Sequence, residues 1–172
     1  MASAKIKMIP AVHQSNSGFS APAKTSATFV EGAPVKMSAG TLVACSTTNK
    51  SSTTHVAVAS LSAIVGIAGG KTTNGDTANI LVHKLQEGME FIGNLVHTTV
   101  ASAKVTAAAI GTTAVYLGKA KSSDTHYGWS LTAPSSYASC VQGKITRLID
   151  PASTVNGRVQ AVITVGGALS AL

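Results

Sequence analysis

The chain has 172 residues, enough for one ordinary domain to close a core without metals or disulfides. Only 11% of them are charged and 4% aromatic, and 13 Lys and Arg against 6 Asp and Glu leave a net charge of +7. The β-branched content suits a packed sheet, while so little charge leaves a lone molecule poorly solvated and favours an assembled state.

The charge is unevenly spread. Residues 1–30 carry +3, residues 31–100 are neutral, and residues 101–172 carry +4. A basic balance suits nucleic acid, an anionic membrane surface or an acidic protein partner. Nucleic acid is disfavoured, because the basic residues are dispersed singly, two of them are Arg, and no aromatic-rich stretch offers a stacking platform.

The chain opens with "MASAKIKMIPAVHQSNSGFSAPAKTSATFV", which has Pro10, Pro22, scattered Ser and Lys, and no sustained period. It reads as an extended N-terminal arm over residues 1–30 that docks on neighbouring subunits, ahead of a β domain over residues 31–172. At roughly 3.3 Å per residue such an arm can cross a neighbour. Strand addition to a neighbour's sheet edge would place Ile6, Met8 and Val12 in pockets, with Lys5, Lys7 and Lys24 supplying charge. These six are the candidate partner-binding residues. The short run Met8 to Val12, broken by Pro10, is no secretory signal, so synthesis in the cytoplasm is expected.

Strand signals then follow one another. "GAPVKMSAGTLVACS" predicts strands near Val35 to Met37 and Thr41 to Cys45 about a Ser-Ala-Gly turn. Val56 to Ala68 reads as one strand, too short and too interrupted by Ser to span a bilayer. "NILVHKLQEGMEFIGNLV" predicts a hairpin about Glu87-Gly88, with Gln86 opposite Met89. "SAKVTAAAIG" predicts a short helix with Ser102 as N-cap and Gly111 at C′. "AVYLGK", "HYGWSLTA", "VQGKITRLI" and "GRVQAVITV" complete the strands. The fold class is mainly β, a single sandwich or barrel with one short helix, and no internal repeat stands out.

"GIAGGKTTNGD" imitates a phosphate loop but fails its spacing. The residue five before Gly70 is Val65, and Gly66 leaves the loop one residue short. A phosphate loop must also run into a helix N-terminus, whereas Thr72 to Asp76 is turn chemistry. The two cysteines, Cys45 and Cys140, form no C-x-x-C, and whether they pair is left open. Cys45 with a distant His is a weak candidate thiol nucleophile. The five His are dispersed, with no pair at metal spacing. Glu87 and Glu90 flank a turn, and Asp124 and His126 lie in a loop entering a strand. No catalytic residue, cofactor or metal is expected. Trp129, the sole Trp, either seals a core or stacks on a sugar.

The succession "AAAIGTTAVYLGKA", "GWSLTAP", "CVQGKITRLID" and "GRVQAVI", preceded by "EGAPVKMSAGTLVAC" and "IVGIAGGKTTNGDTANILVHKLQEGMEFIGNLV", resembles the small β-barrel cement, or head-decoration, proteins of tailed bacteriophages. The likeness covers about residues 31 to 165 and is one of pattern and order. It implies a β-tulip-like barrel in a non-enzymatic virion protein. Such a protein binds the outer capsid surface, commonly as a homotrimer, and ties neighbouring major capsid protein subunits together. The resemblance carries over no catalytic residue, small-molecule substrate, nucleic acid or membrane. The alternative reading is a carbohydrate-binding or adhesin-like β module using "HYGW".

Overall fold

The computed structural model describes residues 8–11, 18–45, 47–48, 56–58, 64–97, 102–119, 127–131 and 141–165. Among them run β1 Ile9–Pro10, β2 Gly18–Pro22, β3 Pro34–Ser38, β4 Thr41–Ala44, β5 Thr47–Thr48, β6 Val56–Val58 and β7 Ile64–Ala68. There follow β8 Asn79–Lys84, β9 Glu90–Val96, β10 Ala114–Lys119, β11 Gly128–Ser130, β12 Gln142–Leu148 and β13 Arg158–Val165. The fold is mainly β, in keeping with a sandwich or barrel.

The C-terminal strands close into a ring. β9 pairs with β13, β13 with β12, β12 with β10 and β10 with β11, all antiparallel. β11 then returns to β9 in a parallel pairing, with Trp129 beside Leu95 and Ser130 beside Val96. The N-terminal sheet runs β2-β8-β7-β3-β4. A parallel bridge between Ala23 and Leu42 brings β4 back to the end of β2, where the Lys24 N–H donates to the Leu42 carbonyl at 2.9 Å.

The two rings share one topology. With each ring's strands taken in chain order, the first pairs with the fifth, the fifth with the fourth, the fourth with the second, and the second with the third. The third then meets the first in parallel, in both rings. The register repeats as well. Gly66 lies between Val35 and Lys84, as Gly143 lies between Val115 and Ile163. Leu42 faces Met37 and Ala23, as Trp129 faces Leu117 and Leu95.

The turns follow the same rule. Gly32, at φ 84°, and Gly111, at φ 74°, both take the left-handed conformation that glycine adopts without a Cβ penalty. The Gly32 N–H donates to the Ala68 carbonyl at 2.8 Å, and the Gly111 N–H to that of Ile145 at 2.7 Å. Ala68 and Ile145 in turn donate to Ala33 and Thr113. The chain thus folds as two sheets of one strand topology: a first barrel-like unit of β2–β4 with β7 and β8, and a second of β9–β13, whose sheet also takes on β1, β5 and β6, the two sharing one continuous buried cluster.

Three expectations are corrected by this architecture. Val56 to Ala68 is not one strand, since β6 pairs with β10 while β7 belongs to the first ring. The turn at Glu87-Gly88 exists, with the Met89 N–H donating to the Gln86 carbonyl at 3.2 Å, but β8 and β9 form no hairpin. β8 is paired by β2 and β7, and β9 by β13, β1 and β11, so the turn is the link between barrels. The predicted helix shrinks to one 3₁₀ turn, Ala107–Ala109. Its first half cannot wind into an α-helix because the β12–β13 loop takes its carbonyls: Ser153 donates to Val105 and Asn156 to Ala103, each at 2.7 Å.

The proposed arm is corrected in part. Residues 18–30 belong to the first barrel, with β2 paired along β8 and with Ala21, Ala23, Ala27 and Phe29 in the core. β1 lies on β9 of the second barrel. Residues 1–7 and 12–17 of the arm lie outside the described residues.

Candidate partner-binding surface

Of the six candidate residues, Lys5, Ile6, Lys7 and Val12 lie outside the described residues. Met8 does not face a partner: it is 1% exposed. Its thioether occupies a slot that opens because residue 93 is glycine, and a Cβ there would strike the Met8 sulfur and approach the Trp129 indole. An unbranched, polarizable side chain fits such an irregular gap. Lys24 is exposed, its backbone tied to Leu42 where the first barrel closes.

The groups that could carry chemistry are turned inward. Trp129 is fully buried, and its Nε1–H donates to the Phe91 carbonyl at 3.4 Å. It packs against Gly93 and Gly143 inside the second barrel, so it is unavailable to stack on a sugar. Tyr127 is buried beside it in sequence, and the Lys119 ammonium sits 5.1 Å from its ring centroid. Burial pushes the Tyr127 phenol up to about 12, with the nearby Cys45 thiol adding to the effect. Cys45 is a free thiol, also pushed up to about 12 by burial, a shift that Lys36 opposes. Such a thiol stays protonated at neutral pH, whereas a nucleophile needs the thiolate. Asp124, His126 and Cys140 lie outside the described residues.

The phosphate-loop imitation is the β7–β8 loop. Thr72 and Phe29 exchange backbone hydrogen bonds at 3.0 and 3.2 Å, and Gly75 turns the chain at φ 95° toward a strand rather than a helix. Thr72 is 2% exposed, and its Oγ1 has no hydrogen-bond partner among the described residues. Among those residues no group of three or more His, Cys, Asp or Glu could hold a metal ion, and no helix is long and apolar enough to cross a membrane. A shallow depression lined by Leu95, Val105, Leu148 and Arg158 holds about 10 Å³, far short of the roughly 300–1,000 Å³ of small-molecule sites.

Several basic residues reach the outer surface. Lys24, Lys71, Lys104, Lys144 and Arg147 are exposed, the last two on β12 of the second barrel. Arg158 is engaged: its Nε and Nη2 grip both carboxylate oxygens of Asp150 and its backbone N–H adds a bond at 2.7 Å, closing the β12–β13 loop. These bonds hold the Asp150 carboxyl below its usual range. Apolar side chains also reach solvent, among them Met37 and Leu81 on the first barrel. The sequence reading missed the outer edge of β2. Its signal was the alternation in "GFSAP", with Phe19 and Ala21 inward and Pro22 closing the run.

In comparisons with protein-family models, with curated proteins and with solved structures, none matches this chain.

Proposed function

We propose that this protein is a structural component of a tailed-phage virion that binds the outer capsid surface and cements the shell by bridging neighbouring major capsid protein subunits. It is made in the host cytoplasm and acts without catalysis, in a closed oligomer that the resemblance makes a trimer. The observation that carries the reading is the tandem of two like barrels over one continuous core. A chain with two units of one design over a shared core is suited to engaging two like neighbours on a repeating shell. The segment order that resembles head-decoration proteins runs through both units.

The electrostatics are compatible. A +7 subunit with Lys24, Lys71, Lys104, Lys144 and Arg147 exposed is drawn to an acidic shell face, and salt weakens that attraction. Burial of Trp129 removes the aromatic platform on which the carbohydrate-binding alternative depended.

The test is the stability of the shell. Expanded heads lacking this protein should open at a higher temperature once the purified chain is added, and the gain should saturate. An opening temperature that never moves contradicts cementing.

A further inference from the structure

The two units differ on the outer face of their fourth strand. In β7 every residue is buried, so the strand is covered on both faces. Ile67, between Pro34 and His83 in register, is 0% exposed. Its equivalent in β12 is Lys144, between Ala114 and Val162, and Lys144 is exposed. The inner face of β12 is fixed by Gly143, where a Cβ would lie 3.4 Å from the Trp129 ring, and by the fully buried Ile145. Lys144 therefore points out of the barrel. The face that the first unit seals within the chain is open in the second.

A β-bulge adds a second cation to that face. Strict alternation from Gly143 and Ile145 would send Arg147 inward. The register slips between Ile145 and Arg147, so that Ile145 opposes Ala161 while Arg147 opposes Gln160. Thr146 is the extra residue, and its Oγ1 donates to the Gln160 carbonyl at 3.3 Å. Gln160 lies between the buried Val159 and Ala161, hence on the outer face, and Arg147 shares that face and is exposed. The registers lay three rows across it: Lys144, Val162 and Glu90, then Arg147, Gln160 and Ile92, then Arg158 beside Asn94. Gln160 also donates to the Glu90 carboxylate, and Arg158 grips Asp150. The acids at this face thus have partners, and the half-buried Val162 and Ile92 supply apolar area between the charges.

We propose that the outer face of β12 and β13 is the surface through which this chain docks on the shell, with Lys144 and Arg147 set against carboxylates of the major capsid protein. The proposal rests on the capsid reading and deepens it by fixing the contact. Charge decides the occupant. Where the first unit buries Ile67, the second presents an ammonium, which an apolar partner would leave desolvated and unpaired. The bulge then sets a guanidinium on the same face, and its planar fork takes a carboxylate by two parallel bonds. Nucleic acid is the poorer occupant, since none of the three rows holds an aromatic side chain on which bases could stack. The like face of the first unit is sealed, so the two units engage the shell through different surfaces.

The test compares three full-length chains for co-sedimentation with expanded tailed-phage heads: the parent, a β12 variant carrying Lys144→Glu and Arg147→Glu, and a variant of matched charge carrying Lys71→Glu and Lys104→Glu. At low salt the β12 variant should bind about tenfold more weakly or worse with its unfolding midpoint unchanged, and the matched variant should lose less than about threefold. In the unmodified chain, acetylation of Lys144 by an amine reagent should slow on the heads, and this decides alone if the β12 variant does not fold. Equal losses in the two variants mean attraction by net charge alone and overturn the proposal, as does Lys144 acetylated at one rate free and bound. In both cases the parent still pellets, so the capsid reading stands. A parent that never pellets contradicts that reading and the proposal together. Binding that nuclease removes assigns the face to nucleic acid and overturns the proposal too.

Discussion

Gly66 and Gly143 occupy one position in two barrels: a Cβ on Gly66 would strike the His83 carbonyl oxygen and the Val82 side chain, and one on Gly143 would come 2.9 Å from the Val162 carbonyl oxygen and 3.4 Å from the Ala161 Cβ. His83 and Val162, like Val82 and Ala161, are themselves equivalent in register. The fourth strand of each barrel thus passes so close to the fifth that only glycine fits.

Alanine at either glycine should destabilise the fold, and unequally. At Gly66 the obstruction includes backbone and a β-branched neighbour, so Gly66→Ala should cost about 2–3 kcal/mol in chemical denaturation, at the upper end of overpacking effects. At Gly143 the contacts are looser, and about 1 kcal/mol is expected. No cost at either glycine would contradict the close approach of the fourth and fifth strands.

Thr72 should be better replaced than kept. Its Oγ1 is buried without a partner among the described residues, while its backbone holds Phe29. Thr72→Val keeps the shape and removes the unsatisfied hydroxyl, so stability should rise by about 1 kcal/mol, read as a shift of the urea midpoint. A loss of similar size would mean that the hydroxyl is bonded.

Stability should fall on mild acidification through His83. Burial lowers its pKa below 6.5, against an opposing influence from Glu31. Between the folded value and 6.5 the unfolded chain binds more protons. The contribution is therefore complete above pH about 6.5 and is lost as pH falls through the folded value. Denaturation midpoints at pH 7.5 and 5.5 should differ more for the parent chain than for His83→Gln. Identical pH profiles would remove His83 from the account.

Cys45 should be inert in the folded protein. With its thiol pushed up to about 12 and the side chain buried, a chain carrying Cys140→Ser should react with a disulfide reagent at pH 8 only after unfolding. Rapid labelling of the native chain would revive the thiol-nucleophile reading.

The strands were legible where alternation and turn residues agree. β3, β10, β12 and β13 fall where "PVKMS", "AVYLGK", "QGKITRL" and "RVQAVITV" place them, and Gly75, Gly88 and Gly111 turn as expected. Alternation reports which face a residue takes but not which edge its strand joins. That is why a real turn at Glu87-Gly88 was read as a hairpin. The duplication was hidden for a related reason. Equivalent positions hold different volumes, Leu42 against Trp129, Ala23 against Leu95 and Ala21 against Gly93, so the register repeats without the residues repeating. Met8 was misassigned because its slot exists only where β9 carries Gly93 beside Trp129, a three-way contact with no local signature.

The most direct measurement of the proposed function is co-sedimentation of the purified chain with expanded tailed-phage heads, at low and high salt. Binding that saturates at a fixed ratio to the major capsid protein, and weakens in high salt, is the result predicted for a basic cement protein. A chain left in the supernatant at both salt concentrations contradicts it.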